Sequence, residues 1–211
     1  MAEQTVSQVG KEECLRPTQV AHIVFKTSKG PAMVEFYLML LNGWVAFENS
    51  TICFIRYDFE HHRVVVVHDD SAAPRDPSCA GLVHLAFTYP SLTSLLNNYK
   101  RLKNAGITPV WCINHGFTTS IYYRDPEGQL IETQFDNMTP DEAQAFMESP
   151  YFEINPIGVD FDPERLLEML EAGVGEQELV AQRTAQPLSD EPPCRPEGII
   201  NYDWRGELLP A

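Results

Sequence analysis

Three side chains far apart in the sequence have types that could do chemistry together: His22 in VAHIVF, His84 in LVHLAFTY and Glu132 in LIETQF. Glu132 lies in the second strand of a predicted hairpin running from His115 to Asp136, whose turn is Asp125-Pro126-Glu127-Gly128. Proline at the second position and glycine at the fourth suit a tight turn, and Ile121, Tyr122 and Tyr123 before it are β-formers. Alternation along Leu130 to Phe135 places Leu130, Glu132 and Gln134 on one face. A carboxylate on an interior face needs a cation or a hydrogen-bond donor. On the outer face of an edge strand it needs neither, so the hairpin alone leaves both readings open.

An internal repeat decides between them. Setting VAHIVFKT over LVHLAFTY superposes His22 on His84 at an offset of 62, and setting YDFEHHRVV over RDPEGQLIE superposes Asp58 on Asp125, Glu60 on Glu127 and Val65 on Glu132 at an offset of 67. The elements between these anchors recur in the same order. A strand at Val20 to Phe25 leads to a helix at Pro31 to Leu41, stopped by Asn42-Gly43, and then to strands at Trp44 to Glu48, Ile52 to Tyr57 and His61 to Val67. After a loop from Asp69 to Ala80, a strand at Leu82 to Tyr89 precedes a helix from Ser91, a suitable N-cap, to Ala105, with Gly106 as its stop. A strand at Ile107 to Ile113 and the hairpin complete the second set. The fold class is therefore α+β, with two β-α-β-β-β modules.

In a pseudo-twofold pair of such modules, the first and last strands line one cavity, so His22, His84 and Glu132 converge there. A lone histidine in an apolar strand is more often a hydrogen-bonded core residue than a ligand. Two at repeat-equivalent places, with a carboxylate at the matching end of the second module, favour a metal. Two imidazoles and a carboxylate form the facial ligand set of non-haem Fe(II), which leaves coordination positions open. Val65, at the fourth equivalent place, cannot bind a metal.

Composition narrows the function further. The 211 residues carry a net charge of −15, concentrated at the C-terminal end. Residues 1–140 hold 11 Lys and Arg against 14 Asp and Glu, whereas residues 141–211 hold 4 against 16. Without a basic cluster to meet phosphates, a nucleic-acid partner is excluded. No apolar run is long enough to span a bilayer and the start is polar, so neither a membrane span nor a signal peptide is expected. Five scattered cysteines, Cys14, Cys53, Cys79, Cys112 and Cys194, without a CxxC pair, read as reduced thiols of a cytoplasmic protein.

On AHIVFKT, LVHLAFTY and YYRDPEGQLIE, residues 18–137 resemble the vicinal oxygen chelate superfamily, which includes glyoxalase I, fosfomycin-resistance enzymes, bleomycin-resistance proteins and type I extradiol dioxygenases. The resemblance implies a cupped mixed β-sheet with a metal inside the cup, built from modules at 18–69 and 81–137. FEHHRVVVV resembles the extradiol segment in which the second of two histidines is the acid-base catalyst, which points to His62. Strand parity instead groups His61 with Val65, so the choice between His61 and His62 stays open. NHGFTTSIYYRDPEG resembles the segment carrying an assisting histidine and tyrosine, matching His115 and Tyr122. His115 stands closer to the tyrosine than in the family pattern.

The resemblance thus implies an Fe(II)-dependent ring-cleaving dioxygenase acting with O₂ on a small catecholic aromatic, with Mn(II) or another divalent metal as the alternative ion. Another metal-dependent enzyme of the superfamily, or a non-catalytic binder of small aromatics, are the alternative readings. The resemblance and exposed sheet edges also imply a homodimer. Outside the repeat, residues 1–17 read as a leader and 138–211 as an acidic extension with two helices and a tail. The first helix is announced by the capping box Thr139-Pro140-Asp141-Glu142, and the second starts at Asp162-Pro163 and stops at Gly173. In the tail, Ile199, Ile200, Tyr202 and Trp204 are apolar enough to dock on a surface.

Overall fold

The computed structural model describes residues 16–184. The first module runs β1 (Ile23–Thr27), α1 (Gly30–Leu41), β2 (Trp44–Glu48), β3 (Ile52–Arg56) and β4 (Val64–His68). The second repeats that order with β5 (His84–Thr88), α2 (Leu92–Asn104), β6 (Trp111–Asn114), β7 (Thr118–Arg124) and β8 (Leu130–Asp136). The strands hydrogen-bond into two mixed sheets of order β1-β4-β3-β2 and β5-β8-β7-β6. In each sheet the first and last strands of the module are parallel neighbours. The repeat deduced from sequence is thereby reproduced residue by residue: Val24 pairs with Val65, and Ala86 pairs with Glu132.

Several strand boundaries differ from expectation; β4 begins at Val64 rather than His61, and β5 at His84 rather than Leu82. The first strand begins at Ile23, so His22 stands immediately before it rather than inside it. The strand expected from Ile107 starts at Trp111, because Pro109 supplies no N–H and the pairing with β7 begins at Trp111 opposite Tyr122.

Each helix buries one stripe. Met33, Phe36, Tyr37, Leu40 and Leu41 of α1, and Leu92, Leu95, Leu96, Tyr99 and Leu102 of α2, join a single core with Val64, Val66, Ile121, Tyr123 and Ile131. The spacing of three and four is that of a helix face. Ser91 caps α2 by accepting from the Ser94 N–H at 3.0 Å, and Asn42 ends α1 in the left-handed region at φ 49°. The β7–β8 turn docks on the start of α1: the Tyr37 hydroxyl donates to Asp125 at 3.1 Å, and Lys29 Nζ donates to the Pro126 carbonyl at 2.6 Å. The turn itself is closed by Gly128 N–H on the Asp125 carbonyl at 2.8 Å.

Beyond β8 the expectation of two helices is too simple. Thr139 and Glu142 do form the capping box of α3 (Pro140–Met147). A short helix follows, α4 (Pro150–Ile154), and then a two-residue strand, β9 (Val159–Asp160), which pairs with β6 and makes the second sheet five-stranded. Asp162 caps α5 (Pro163–Glu171), whose Leu166 and Leu167 enter the core, and α6 (Glu176–Thr184) comes after Gly173. Among the described residues, no helix is long and apolar enough to cross a membrane. Cys53 and Cys79 are free thiols. Cys14, Cys194, the leader up to residue 15, and Ile199, Ile200, Tyr202 and Trp204 lie outside the described residues.

Candidate functional site

The ladder registers dictate which side chains share a face. In the second sheet Ala86, Glu132, Tyr122 and Trp111 stand directly opposite one another across β5, β8, β7 and β6. Opposed residues project from the same face, and His84, two residues before Ala86, joins them. This is the face away from α2, because the alternate residues Ile121, Tyr123 and Ile131 enter the helix-side core. In the first sheet the equivalent row is Val24, Val65 and Phe54. The same pseudo-symmetry that relates the strands therefore gives one polar row and one apolar row.

Glu132 is 4% exposed, within an apolar patch that includes Trp111, Tyr122 and Leu130. Its Oε2 lies 3.0 Å from Nε2 of His84, whose side chain is 39% exposed. The pair thus joins a desolvated carboxylate to an imidazole open on its outer side. Burial by itself would raise the Glu132 pKa, but hydrogen bonds from His84 and Ser120 and the nearby imidazoles outweigh it and hold the carboxyl below its ordinary value. The His84 imidazole is raised in turn, first by its hydrogen bond to Glu132. A buried carboxylate 3.0 Å from an imidazole is a pair of the donor types that divalent metals take from proteins.

Tyr122 and His115 back this pair. His115 comes just after β6, where Nδ1–H donates to the Ile157 carbonyl and Nε2 lies 3.0 Å from the Tyr122 hydroxyl. Burial lowers the His115 pKa and keeps the ring neutral, and the Ile157 carbonyl fixes the proton on Nδ1. Nε2 is then an acceptor. The single phenolic proton of Tyr122 has two acceptors within reach, His115 Nε2 and the Glu132 carboxylate. Desolvation and the charge of Glu132 raise the Tyr122 pKa, so the phenol stays protonated. Trp111 stacks on Tyr122 at 5.0 Å and donates its indole N–H to Asp160 of β9 at 2.9 Å.

The remaining predicted residues gather on the first module. His22 and His62 face each other with ring centroids 4.4 Å apart, and His62 stacks on Phe54 at 4.8 Å. His61 contacts His62 through Nδ1 and reaches Glu60 at 3.1 Å with Nε2. The structure thus turns His62, not the more exposed His61, toward His22. Because β4 starts at Val64, the alternation of a strand does not extend to either histidine and does not set which of them turns inward. Desolvation, then the charges of His22 and His61, lower the His62 pKa.

Sequence reasoning missed Arg63. Its guanidinium clamps Asp58 at 2.9 Å and donates to the Val20 and Ala21 carbonyls at 3.0 and 3.2 Å, anchoring the backbone next to His22. It also missed Ser120, although strand alternation from Tyr122 would have placed it on the Glu132 face.

The six residues therefore form two groups: His84, Glu132, Tyr122 and His115 in the second module, and His22 with His62 in the first. Among the described residues, no three His, Cys, Asp or Glu stand at metal-holding spacing. In kind, the donors fit a divalent cation, since a buried carboxylate already meets one imidazole and a second imidazole occupies the repeat-equivalent place. A cavity of about 540 Å³ opens elsewhere, between α1 and the β2–β3 hairpin, and none of the six residues lines it.

This arrangement places the chain in a known class. It belongs to the glyoxalase/bleomycin resistance protein/dioxygenase superfamily, whose family model matches residues 19–133. It is similar to biphenyl-2,3-diol 1,2-dioxygenase 2 of Rhodococcus globerulus, 46% identical over 155 residues, or 72% of this chain and 82% of that one. Biphenyl-2,3-diol 1,2-dioxygenase 3 of the same organism is 40% identical over 170 residues, 79% of this chain and 90% of that one. A solved structure of a glyoxalase/dioxygenase from Nostoc punctiforme is 18% identical, covering 63% of this chain and 99% of that chain with a TM-score of 0.49.

Proposed function

We propose that the chain is a dioxygenase that opens an aromatic ring bearing two adjacent hydroxyls. The observation that carries this reading is the buried Glu132 carboxylate held 3.0 Å from His84, with the Tyr122 hydroxyl beside it. Relatives at 40–46% identity named as diol dioxygenases support it.

His22, His84 and Glu132 would hold a divalent metal, Fe(II) by preference and Mn(II) as the alternative. Such a metal, when bound, supplies a Lewis acid for the two diol oxygens and electrons for O₂. The chain's own residues supply the rest. His62, neutral between His22 and Phe54, takes a proton from a diol hydroxyl and later returns it. Tyr122 donates or accepts at an oxygen of the bound ring, and His115, pinned by Ile157, sets which way the phenolic proton points. The aromatic faces of Phe54 and His62 offer a stacking surface to the substrate ring.

The same reading includes a cytoplasmic homodimer. The edge strand β2 exposes Trp44 and Phe47 to 50% each, an apolar edge that a second copy would cover. Light scattering at micromolar concentration checks the assembly. The activity is tested by oxygen uptake with catechol and biphenyl-2,3-diol after anaerobic loading with Fe(II). Consumption of O₂ with formation of a ring-opened, coloured acid is expected. Absence of uptake with both diols sinks the proposal.

A further inference from the structure

The cavity of about 540 Å³ between α1 and the β2–β3 hairpin takes its place from the strand registers. Glu48 stands opposite Cys53, and Cys53 opposite Val66, so the three project from one face of the first sheet. Cys53 and Val66 belong to the helix-side core, so this face is turned toward α1. Phe54 and Val65 alternate with them and point the other way. Across the space α1 presents Val34, Glu35, Leu38 and Met39, which at spacings of four residues form one stripe. The helix packs on β3 and β4 and leaves the edge strand β2, exposed along its whole length, overhanging. Trp44 and Phe47 pair with Arg56 and Phe54 and project from the opposite face, so the cavity is separate from the apolar edge assigned to a second copy.

The repeat supplies a comparison. In the second module α5 lies against the corresponding flank of α2: Lys100, at the offset of 62 from Leu38, donates to Glu171 at 2.6 Å, and Leu166 and Leu167 enter the core. The edge strand β6 also gains β9. In the first module the described lining of the cavity comes from residues 30–68 alone, so no later element fills it there. Its walls are apolar at Val34, Leu38, Met39, Ile52 and Val66 and acidic at Glu35 and Glu48. The described lining holds no lysine or arginine, and neither carboxylate is in a salt bridge among the described residues. His68 accepts from the Gly30 N–H through Nδ1 at 3.3 Å and meets Asp70 with Nε2 at 3.1 Å, so both ring nitrogens are engaged. The net charge of −15 adds a long-range attraction for cations. The 27 residues after Thr184 hold five Asp and Glu against two Arg, so their charge has the same sign as the cavity's and does not complement it.

We propose that this cavity binds a small organic cation, an amine with an apolar body, whose charged end meets Glu35 and Glu48. Its volume is that of a small-molecule site. Because it opens on the face away from Phe54 and Val65, its ligand does not compete with the diol, and the assignment stands apart from the ring-cleaving reading. Calorimetry on the full-length protein compares three probes of one shape, 4-phenylbutylammonium, 4-phenylbutanol and 4-phenylbutyrate. The ammonium is expected to bind about tenfold more tightly than the alcohol, each of two exposed ion pairs contributing about threefold, and the carboxylate more weakly than the alcohol. Glu35→Gln and Glu48→Gln should each lower the ratio of ammonium to alcohol about threefold. Val34→Trp, which fills the cavity from the helix side, should abolish binding of both, with circular dichroism as the check on its fold.

Equal binding of the ammonium and the alcohol, or a ratio that survives both glutamine substitutions, overturns the proposal. Both carboxylates are exposed, so the glutamine variants carry the test whether or not Val34→Trp folds. Ammonium binding retained by a folded Val34→Trp protein also overturns it, because the acidic surface rather than the cavity would then be the receptor. Displacement of the ammonium by 4-methylcatechol would place it at the diol site and has the same consequence. Failure of all three probes to bind ends the small-molecule assignment and leaves the cavity to a protein segment.

Discussion

Gly158 joins the C-terminal extension to the site, and Gly158→Ala is the substitution whose consequence the structure fixes most closely. Its φ is +120°, a conformation that costs an L-residue about 1–3 kcal/mol. An added Cβ would lie 2.1 Å from the Asn114 carbonyl oxygen and 2.8 Å from both the Asn114 carbonyl carbon and His115 Cα, all of them backbone atoms that cannot rotate away. The segment must therefore lift off β6, loosening the pairing of Asn114 with Val159 and of Ile113 with Asp160. Conformational cost and one or two weakened hydrogen bonds sum to about 3 kcal/mol. For a chain of this size that corresponds to a melting temperature lower by about 6–12 °C. The preceding carbonyl, Ile157, is the one that holds His115 Nδ1, so turnover should fall along with stability. Thermal and urea unfolding, read beside oxygen uptake, measure both effects. A loss below about 1 kcal/mol, with activity intact, would show that β9 does not position His115.

Three further outcomes follow from the same geometry. Tyr37→Phe removes the hydroxyl that serves Asp125, which is 5% exposed, and should cost about 1–3 kcal/mol in urea unfolding because a buried acceptor loses its donor. The Arg63 guanidinium holds the Asp58 carboxyl below its ordinary value, chiefly by hydrogen bonding. A folded pKa below the unfolded one contributes stability that is complete above about pH 4 and is lost as the pH falls through the folded value, so Arg63→Met should flatten the acid limb of the stability profile. His62→Phe should keep diol binding while turnover falls by about 10²- to 10⁴-fold, with His61→Phe as the milder control; a larger loss from His61→Phe would reverse the assignment.

Much of this was legible in the sequence because the repeat is. The two offsets, 62 at the histidines and 67 at Glu132, anticipated that Val65 and Glu132 occupy matching rungs, and the ladders place them so. The capping box at Thr139 and the proline turn at Asp125 were readable for a different reason, since each is a local device completed within four residues. What sequence missed lacks such a signature. β9 is two residues long and exists only because β6 offers it an edge. Arg63 acts on backbone more than forty residues away, at Val20 and Ala21, which no spacing rule reveals. The orientation of His62 depended on where β4 begins, and strand ends are set by pairing partners rather than by the residues themselves.

The proposed binding of one divalent metal by His22, His84 and Glu132 is tested most directly by the metal content of anaerobically purified protein. Wild type is predicted to retain stoichiometric Fe(II) or Mn(II) by elemental analysis, while Glu132→Ala, which deletes the buried carboxylate facing His84, loses it although the chain remains folded by circular dichroism. A folded Glu132→Ala protein with the same metal content as wild type would contradict the account.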